Sequence, residues 1–196
     1  MQKPDDIRTE TDYLWSEGKR KAEFHHRIIV DYFRDKLHGD ILDIGEDNPL
    51  KQRIQERYQV KIDSTSRYCD FDDDLFTDNL VKRKIEQKYD IVIMSHVLEH
   101  LFNPLFCLIN IKNRLKEKGL IYIITTIKPY WISPARCHFH EMDHNRFKAL
   151  IERAGLRIVL WEEYSVPIPF RFSIRNCLRR LYKEYSIVKL CNVKDV

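Results

Sequence analysis

The densest group of side chains able to do acid–base or ligand chemistry is the segment Cys137-His138-Phe139-His140-Glu141-Met142-Asp143-His144. Imidazoles titrate near neutrality and accept protons well. On an extended segment His138 and His140 project to the same side, because side chains alternate. The three histidines could hold a metal, but a closed zinc site draws four tightly placed ligands. Their other use is to line a pocket and accept protons there, and no metal is expected. A second constellation pairs Asp43 and Gly45 with Asp63, twenty residues after Asp43. A glycine turn lets the chain backbone approach a ligand. A carboxylate about 20 residues further on accepts hydrogen bonds from vicinal hydroxyls, the usual layout for holding a ribose.

These groups must be positioned by regular elements, and the pattern along the chain supplies them. Phe24, Ile28, Ile29, Tyr32, Phe33 and Leu37 recur in steps that make one face of a helix over 21–37, which Gly39 stops. Asp40–Ile44 reads as a strand, followed by a short helix through Arg57 and a strand at Gln59–Ile62. Asp78–Gln87 reads as a polar helix, Asp90–Met94 as a buried strand and Pro104–Lys116 as a helix closed by Lys116-Glu117-Lys118-Gly119. Leu120–Thr125, a helix over Asp143–Ala154 ended by Gly155, and Arg157–Trp161 complete the alternation. Strands rich in Ile and Val that alternate with helices predict an α/β fold, a doubly wound, mostly parallel sheet with helices on both faces. Ligands of such sheets bind beyond the carboxyl ends of the strands. Ser95 and His96 stand at one such end. Glu99 and His100 are expected to cap or pack. Thr126–Pro134, aromatic and bounded by prolines, suits a pocket wall. His25 and His26 are expected to be one packed and one exposed helical residue, without a role.

In this order the strand ends resemble those of class I S-adenosylmethionine-dependent methyltransferases, from about Gly39 to Trp161. Asp40-Ile41-Leu42-Asp43-Ile44-Gly45 looks like the family's first motif, and Asp63 like its ribose-binding acid. Cys69-Asp70-Phe71-Asp72-Asp73-Asp74-Leu75 resembles the segment that contacts adenine. The run Tyr89-Asp90-Ile91-Val92-Ile93-Met94-Ser95-His96-Val97-Leu98-Glu99-His100-Leu101 resembles the strand and turn of the small-molecule branch. Leu115–Ile123 fits the helix–glycine–strand unit that follows. His138-Phe139-His140 and Phe147–Leu156 resemble the segment before the sixth strand, and Ser186–Cys191 suits the antiparallel strand the family often places beside it.

The resemblance implies a Rossmann-like fold and S-adenosylmethionine as cofactor. It implies a cofactor site made of Asp43, Gly45, Glu46, Asp63, Asp70, Phe71, Ser95 and His96, with His138 and His140 as catalytic candidates on the acceptor side. Where the family's first motif reads D-x-G-x-G-x-G, this chain reads Asp43-Ile44-Gly45-Glu46-Asp47-Asn48-Pro49, so one glycine remains. Glu46 and Asp47 repel a carboxylate but attract the cofactor's ammonium and sulfonium. The leading expectation is methyl transfer to a small molecule, a sugar or lipid-linked intermediate. The alternative is a binding or assembly protein that kept the fold and lost strong cofactor binding. Methyl transfer needs mainly alignment; a general base is needed when the acceptor is a hydroxyl or a protonated amine.

Composition bounds the rest. With 196 residues, 43% hydrophobic and 33% charged, the chain suits one globular domain, residues 1–196. Residues 1–20 read as a polar arm without the apolar core of a secretory signal. No apolar run nears the roughly 18 residues of a membrane span. Five cysteines, odd in number and never in a CxxC pair, argue against a disulfide framework and for a cytoplasmic setting. Residues 165–196 carry seven Lys/Arg against two acids within a net charge of +4. This basic extension reads as a helix docked on the sheet, with pairing to another subunit or peripheral contact with an anionic membrane as alternatives. No nucleic-acid partner is expected, since no RNA-binding module is evident.

Overall fold

The computed structural model describes residues 19, 21–45, 48–65, 87–127, 138, 140–166 and 185–195. Helix α1 covers residues 21–32. Then come β1 (Ile41–Asp43), α2 (Pro49–Tyr58), β2 (Ile62–Ser64), β3 (Tyr89–Ser95) and a 3-10 turn at Leu98–His100. Helix α3 (Pro104–Lys112), β4 (Leu115–Thr126), α4 (His144–Arg153), β5 (Leu156–Tyr164) and β6 (Tyr185–Asn192) follow.

The six described strands form one sheet in the order β2-β1-β3-β4-β6-β5. The first four are mutually parallel, and β6 runs antiparallel to both its neighbours. The doubly wound, mostly parallel sheet read from the sequence is therefore present. Ser186–Cys191 supplies the expected antiparallel strand, lying between β4 and β5.

Alternation along each strand divides the core into two layers. Leu42, Val92, Met94, Ile121, Ile123, Val188 and Leu190 face α3 and α4, where Cys107, Leu108, Ile111, Phe147 and Ile151 are buried. Ile41, Ile91, Ile93, Tyr122, Ile124 and Ile187 face the other way, against Ile29, Tyr32 and Phe33 of the α1 segment and Leu50 and Ile54 of α2. Central strands buried on both faces need continuous apolar runs, and Ile91–Met94 and Ile121–Ile124 supply them.

Boundaries differ from the sequence reading at one instructive place. Helix α3 ends at Lys112, and Leu115 already pairs with Tyr89 in the sheet. The register then breaks between Tyr89 and Ile91, so Lys116–Gly119 bulges out. Lys116 Nζ reaches the carboxylates of Asp40 (2.6 Å) and Asp90 (2.8 Å), tying this bulge to the amino end of the sheet. Gln59 takes a left-handed conformation and closes α2, so β2 starts at Ile62 rather than at Gln59. The expected helix over 78–87 and the basic stretch of 167–184 lie outside the described residues. Among the described residues no helix is long and apolar enough to cross a membrane.

Candidate active site at the carboxyl edge of the sheet

Four parallel strands point their carboxyl ends to one edge, and β6 begins at that same edge because it is antiparallel. Asp43 closes β1, nearly buried at 5% exposure. Its carboxylate accepts a hydrogen bond from Asn48 Nδ2 (3.0 Å). Asn48 also caps α2, accepting from the Lys51 amide (2.9 Å), with Pro49 beginning the helix. The side chain of Asn48 thus links strand end and helix start. Gly45 has φ +138°, which favours glycine, and a Cβ there would meet nothing within 4 Å. Its amide donates to Thr65 Oγ1 (2.9 Å). The backbone on that side is therefore open to close approach. Asp63, in β2, stands beside Leu42 of β1. Its side chain is 19% exposed, with Lys61 Nζ at 3.9 Å and Gln87 Nε2 at 3.5 Å. An open glycine turn between two acid-bearing strand ends fits a ribose and an amino-acid group, so the described half of the expected cofactor site suits S-adenosylmethionine. Glu46, Asp70 and Phe71 lie outside the described residues.

The other half of the edge holds a hydrogen-bonded chain. Ser95 ends β3, and the His96 amide still bonds Ile124 O (2.8 Å). The backbone then turns left-handed at His96, φ +55°. That conformation is uncommon for a residue with a Cβ and is often held at functional sites. His96 Nδ1 lies 2.8 Å from Glu99 Oε1, and His96 Nε2 lies 2.7 Å from His25 Nε2 on α1. Thr125 Oγ1 donates to Glu99 Oε2 (2.9 Å). Tyr164 Oη approaches His25 Nδ1 at 3.3 Å. The rings of Tyr164 and Tyr185 stack on each other, and that of Tyr185 sits 4.5 Å from His25.

Glu99 is wholly buried. Burial alone would raise its carboxyl, yet the hydrogen bond and charge of His96, a backbone bond and the Thr125 hydroxyl hold it below the usual range. His25 is pushed down to about 3, first by burial, then by His96, His26 and Lys21. Among the residues expected to be bystanders, the structure thus draws His25 and Glu99 into the site. Position is the signal that could have found His25. It falls four residues before Ile29 on the buried stripe of α1, where an apolar side chain would normally sit.

The histidine segment joins the same edge. His138 Nδ1 pairs with the carboxylate of Glu141, whose side chain is 2% exposed, and its ring sits edge-on to His100 at 4.7 Å. His140 donates its amide to Glu99 O (3.2 Å), while its Nε2 lies 3.1 Å from Phe102 O. Glu99, His100 and His138 each bring one ligand-type atom within 4.8 Å of the others. Both Glu99 oxygens and His138 Nδ1 are already engaged by protein groups, and three donors fall short of a closed zinc set.

Residues 14–160 match the family model described as a methyltransferase domain. The chain belongs to that family. Its Rossmann-like fold recurs in solved structures of low identity. A SAM-dependent methyltransferase from Archaeoglobus fulgidus shares 14% identity at TM-score 0.53, over 84% of this chain and 93% of that one. The complex between the Haloferax volcanii Trm112 methyltransferase activator and a putative methyltransferase matches at 13% identity and TM-score 0.57, over 91% of this chain and 94% of that one. Mitomycin 7-O-methyltransferase matches 79% of this chain at 14% identity and TM-score 0.51, and this chain spans only 49% of its length. A search of curated protein sequences finds no match.

Proposed function

We propose that this methyltransferase transfers a methyl group to a small-molecule acceptor, a sugar or a lipid-linked intermediate. The observation that carries the reading is the division of one sheet edge. Asp43, Gly45 and Asp63 make an open, acid-flanked half, and the rings of His25, His96, Tyr164 and Tyr185 crowd the other half at centroid separations of 4.5–5.8 Å. A confined aromatic and imidazole surface suits a small molecule better than a polymer.

When bound, the cofactor supplies a sulfonium methyl with a good leaving group. Asp63 accepts hydrogen bonds from the ribose hydroxyls. Asp43 and the open backbone at Gly45 would hold the amino-acid end, and the family resemblance assigns Glu46 to that end and Asp70 and Phe71 to the adenine. Ser95 and His96 would touch the methionyl part. His138 and His140, stitched to Glu99 through the His140 amide, contact the acceptor and fix its approach.

Calorimetry with S-adenosylhomocysteine tests the cofactor half. Asp63→Ala is expected to weaken binding at least tenfold, consistent with about 1.5–3 kcal/mol for hydrogen bonds to a charged group. His140→Ala is expected to lower turnover and leave that affinity unchanged. No binding by the wild-type chain at millimolar ligand overturns the reading and leaves a binding or assembly role on the same fold.

A further inference from the structure

We propose that the chain Tyr164–His25–His96–Glu99 is the proton acceptor for a hydroxyl nucleophile, with His25 Nδ1 as the entry atom and His96 as the proton's resting place. The proposal rests on the methyltransferase reading above and names the chemical class of the acceptor.

The direction of every link follows from the buried end outward. Glu99, held ionised, can only accept, so His96 Nδ1 donates to it across 2.8 Å. When His96 is neutral its lone pair is on Nε2, and His25 Nε2 at 2.7 Å is then the donor. That leaves the lone pair of His25 on Nδ1, toward which the Tyr164 hydroxyl donates at 3.3 Å. The inner links have normal lengths. The outermost is longer than the 2.5–3.0 Å usual for hydroxyl donors. It is the link that another hydroxyl can replace at least cost.

An acceptor hydroxyl bonded to His25 Nδ1 completes a balanced step. The hydroxyl oxygen forms a bond to the methyl carbon as the carbon–sulfur bond breaks, and the sulfur keeps the electron pair and leaves as a thioether. The hydroxyl proton passes to His25 Nδ1, and the proton on His25 Nε2 passes to His96 Nε2. The positive charge lost by the sulfonium reappears on His96 against the Glu99 carboxylate, so the site's net charge does not change. Groups facing the chain favour this inward transfer. Lys21, which lies 5.6 Å over the Tyr185 ring, and His26, itself beside Arg53, oppose a charge on His25. Glu99 and Thr125 lie on the His96 side, where the charge comes to rest. His25, pushed down to about 3 first by burial and then by His96, His26 and Lys21, passes a proton and does not keep it. Glu99 acts through His96 and is a positioning residue. A carbon or thioether acceptor would not need such a chain.

The test uses the full chain and two readouts. Release of S-adenosylhomocysteine from S-adenosylmethionine is followed with phenol, catechol and methyl β-glucoside as hydroxyl probes. Nitrogen-15 spectra of the imidazoles report tautomers independently of turnover. His25→Gln and Glu99→Gln are expected to lower turnover at least 100-fold, in the range of lost acid–base catalysis of about 10²–10⁴. Their affinity for S-adenosylhomocysteine is expected to stay within threefold, and His38→Gln, at an exposed position remote from the chain, to react like wild type. In Glu99→Gln the loss is expected to fall on kcat, with KM for the hydroxyl probe within threefold of wild type. His25 is expected to be neutral, with its proton on Nε2, at pH 6. Turnover unmoved in His25→Gln, or a His25 proton on Nδ1, overturns the proposal. Should Glu99→Gln misfold or no probe react, the His25 tautomer decides. Absent S-adenosylhomocysteine binding in the wild type would sink the methyltransferase reading instead, so the two failures are distinguishable.

Discussion

His25 concentrates the energetics of the site in one side chain. It is 8% exposed and flanked by two histidines and a lysine, so its protonated form is disfavoured in the folded state. Its pKa falls from 6.5 unfolded to about 3 folded. A depressed imidazole contributes stability that is fully present above pH 6.5 and is lost as pH falls toward 3, because the unfolded chain binds the proton first. Urea denaturation of wild type should lose more unfolding free energy between pH 7.5 and 5.5 than His25→Phe does, by about 1 kcal/mol. Equal losses in the two proteins would mean that His25 is not buried neutral. In the sequence only its place four residues before Ile29 sets His25 apart from its neighbour His26. Only the crossing of α1 over the ends of β3 and β5 brings it to His96 and Tyr164. Glu99, by contrast, was expected to cap or pack, and it packs at zero exposure while holding two donors.

At the scale of elements, Asn48 ties the end of β1 to the start of α2. Asn48 does two things there, capping α2 through Lys51 and bonding Asp43. Asn48→Ala is expected to lower stability by about 1 kcal/mol, the usual cost of a lost cap. It should also weaken S-adenosylhomocysteine binding by freeing the Asp43 carboxylate. Unchanged stability and affinity would show the cap to be idle. Legibility here was uneven. The strand around Ile91–Met94 follows from its apolar run. The end of α3 does not, since Lys116-Glu117-Lys118-Gly119 has the composition of a helix terminus. Its fate is set by Asp40 and Asp90, which are far away in sequence and capture Lys116.

For the whole molecule, the antiparallel β6 is what joins β5 to the rest of the sheet. It is hydrogen-bonded to β4 on one side and β5 on the other, and contributes Ile187 to one core layer and Val188 and Leu190 to the other. Leu190 is fully buried. Leu190→Ala is expected to cost about 2–5 kcal/mol, the range for a truncated core leucine. Because Tyr164 and Tyr185 are paired across β5 and β6, the same substitution should loosen the outer end of the proton chain. Amide exchange would then quicken through β5 and β6 ahead of β1 to β3. Uniform quickening across the sheet would show that this edge is not a separable unit.

What the sequence determined by itself is the part of this protein written in local pattern. Apolar alternation in runs that must be buried on both faces dictates a parallel α/β sheet. The ordered strand ends at Asp43, Asp63 and Ser95–His96 mark the edge where chemistry sits. What only the tertiary structure decided is which titratable groups share a proton. Thr125, Glu99, His96, His25 and Tyr164 come from the end of β4, the turn after β3, the first helix and the end of β5. A hydrogen bond of 2.7 Å between residues 71 positions apart leaves no trace in periodicity or spacing. It exists because both core layers must close over the sheet, which fixes α1 against the one edge where the strands end.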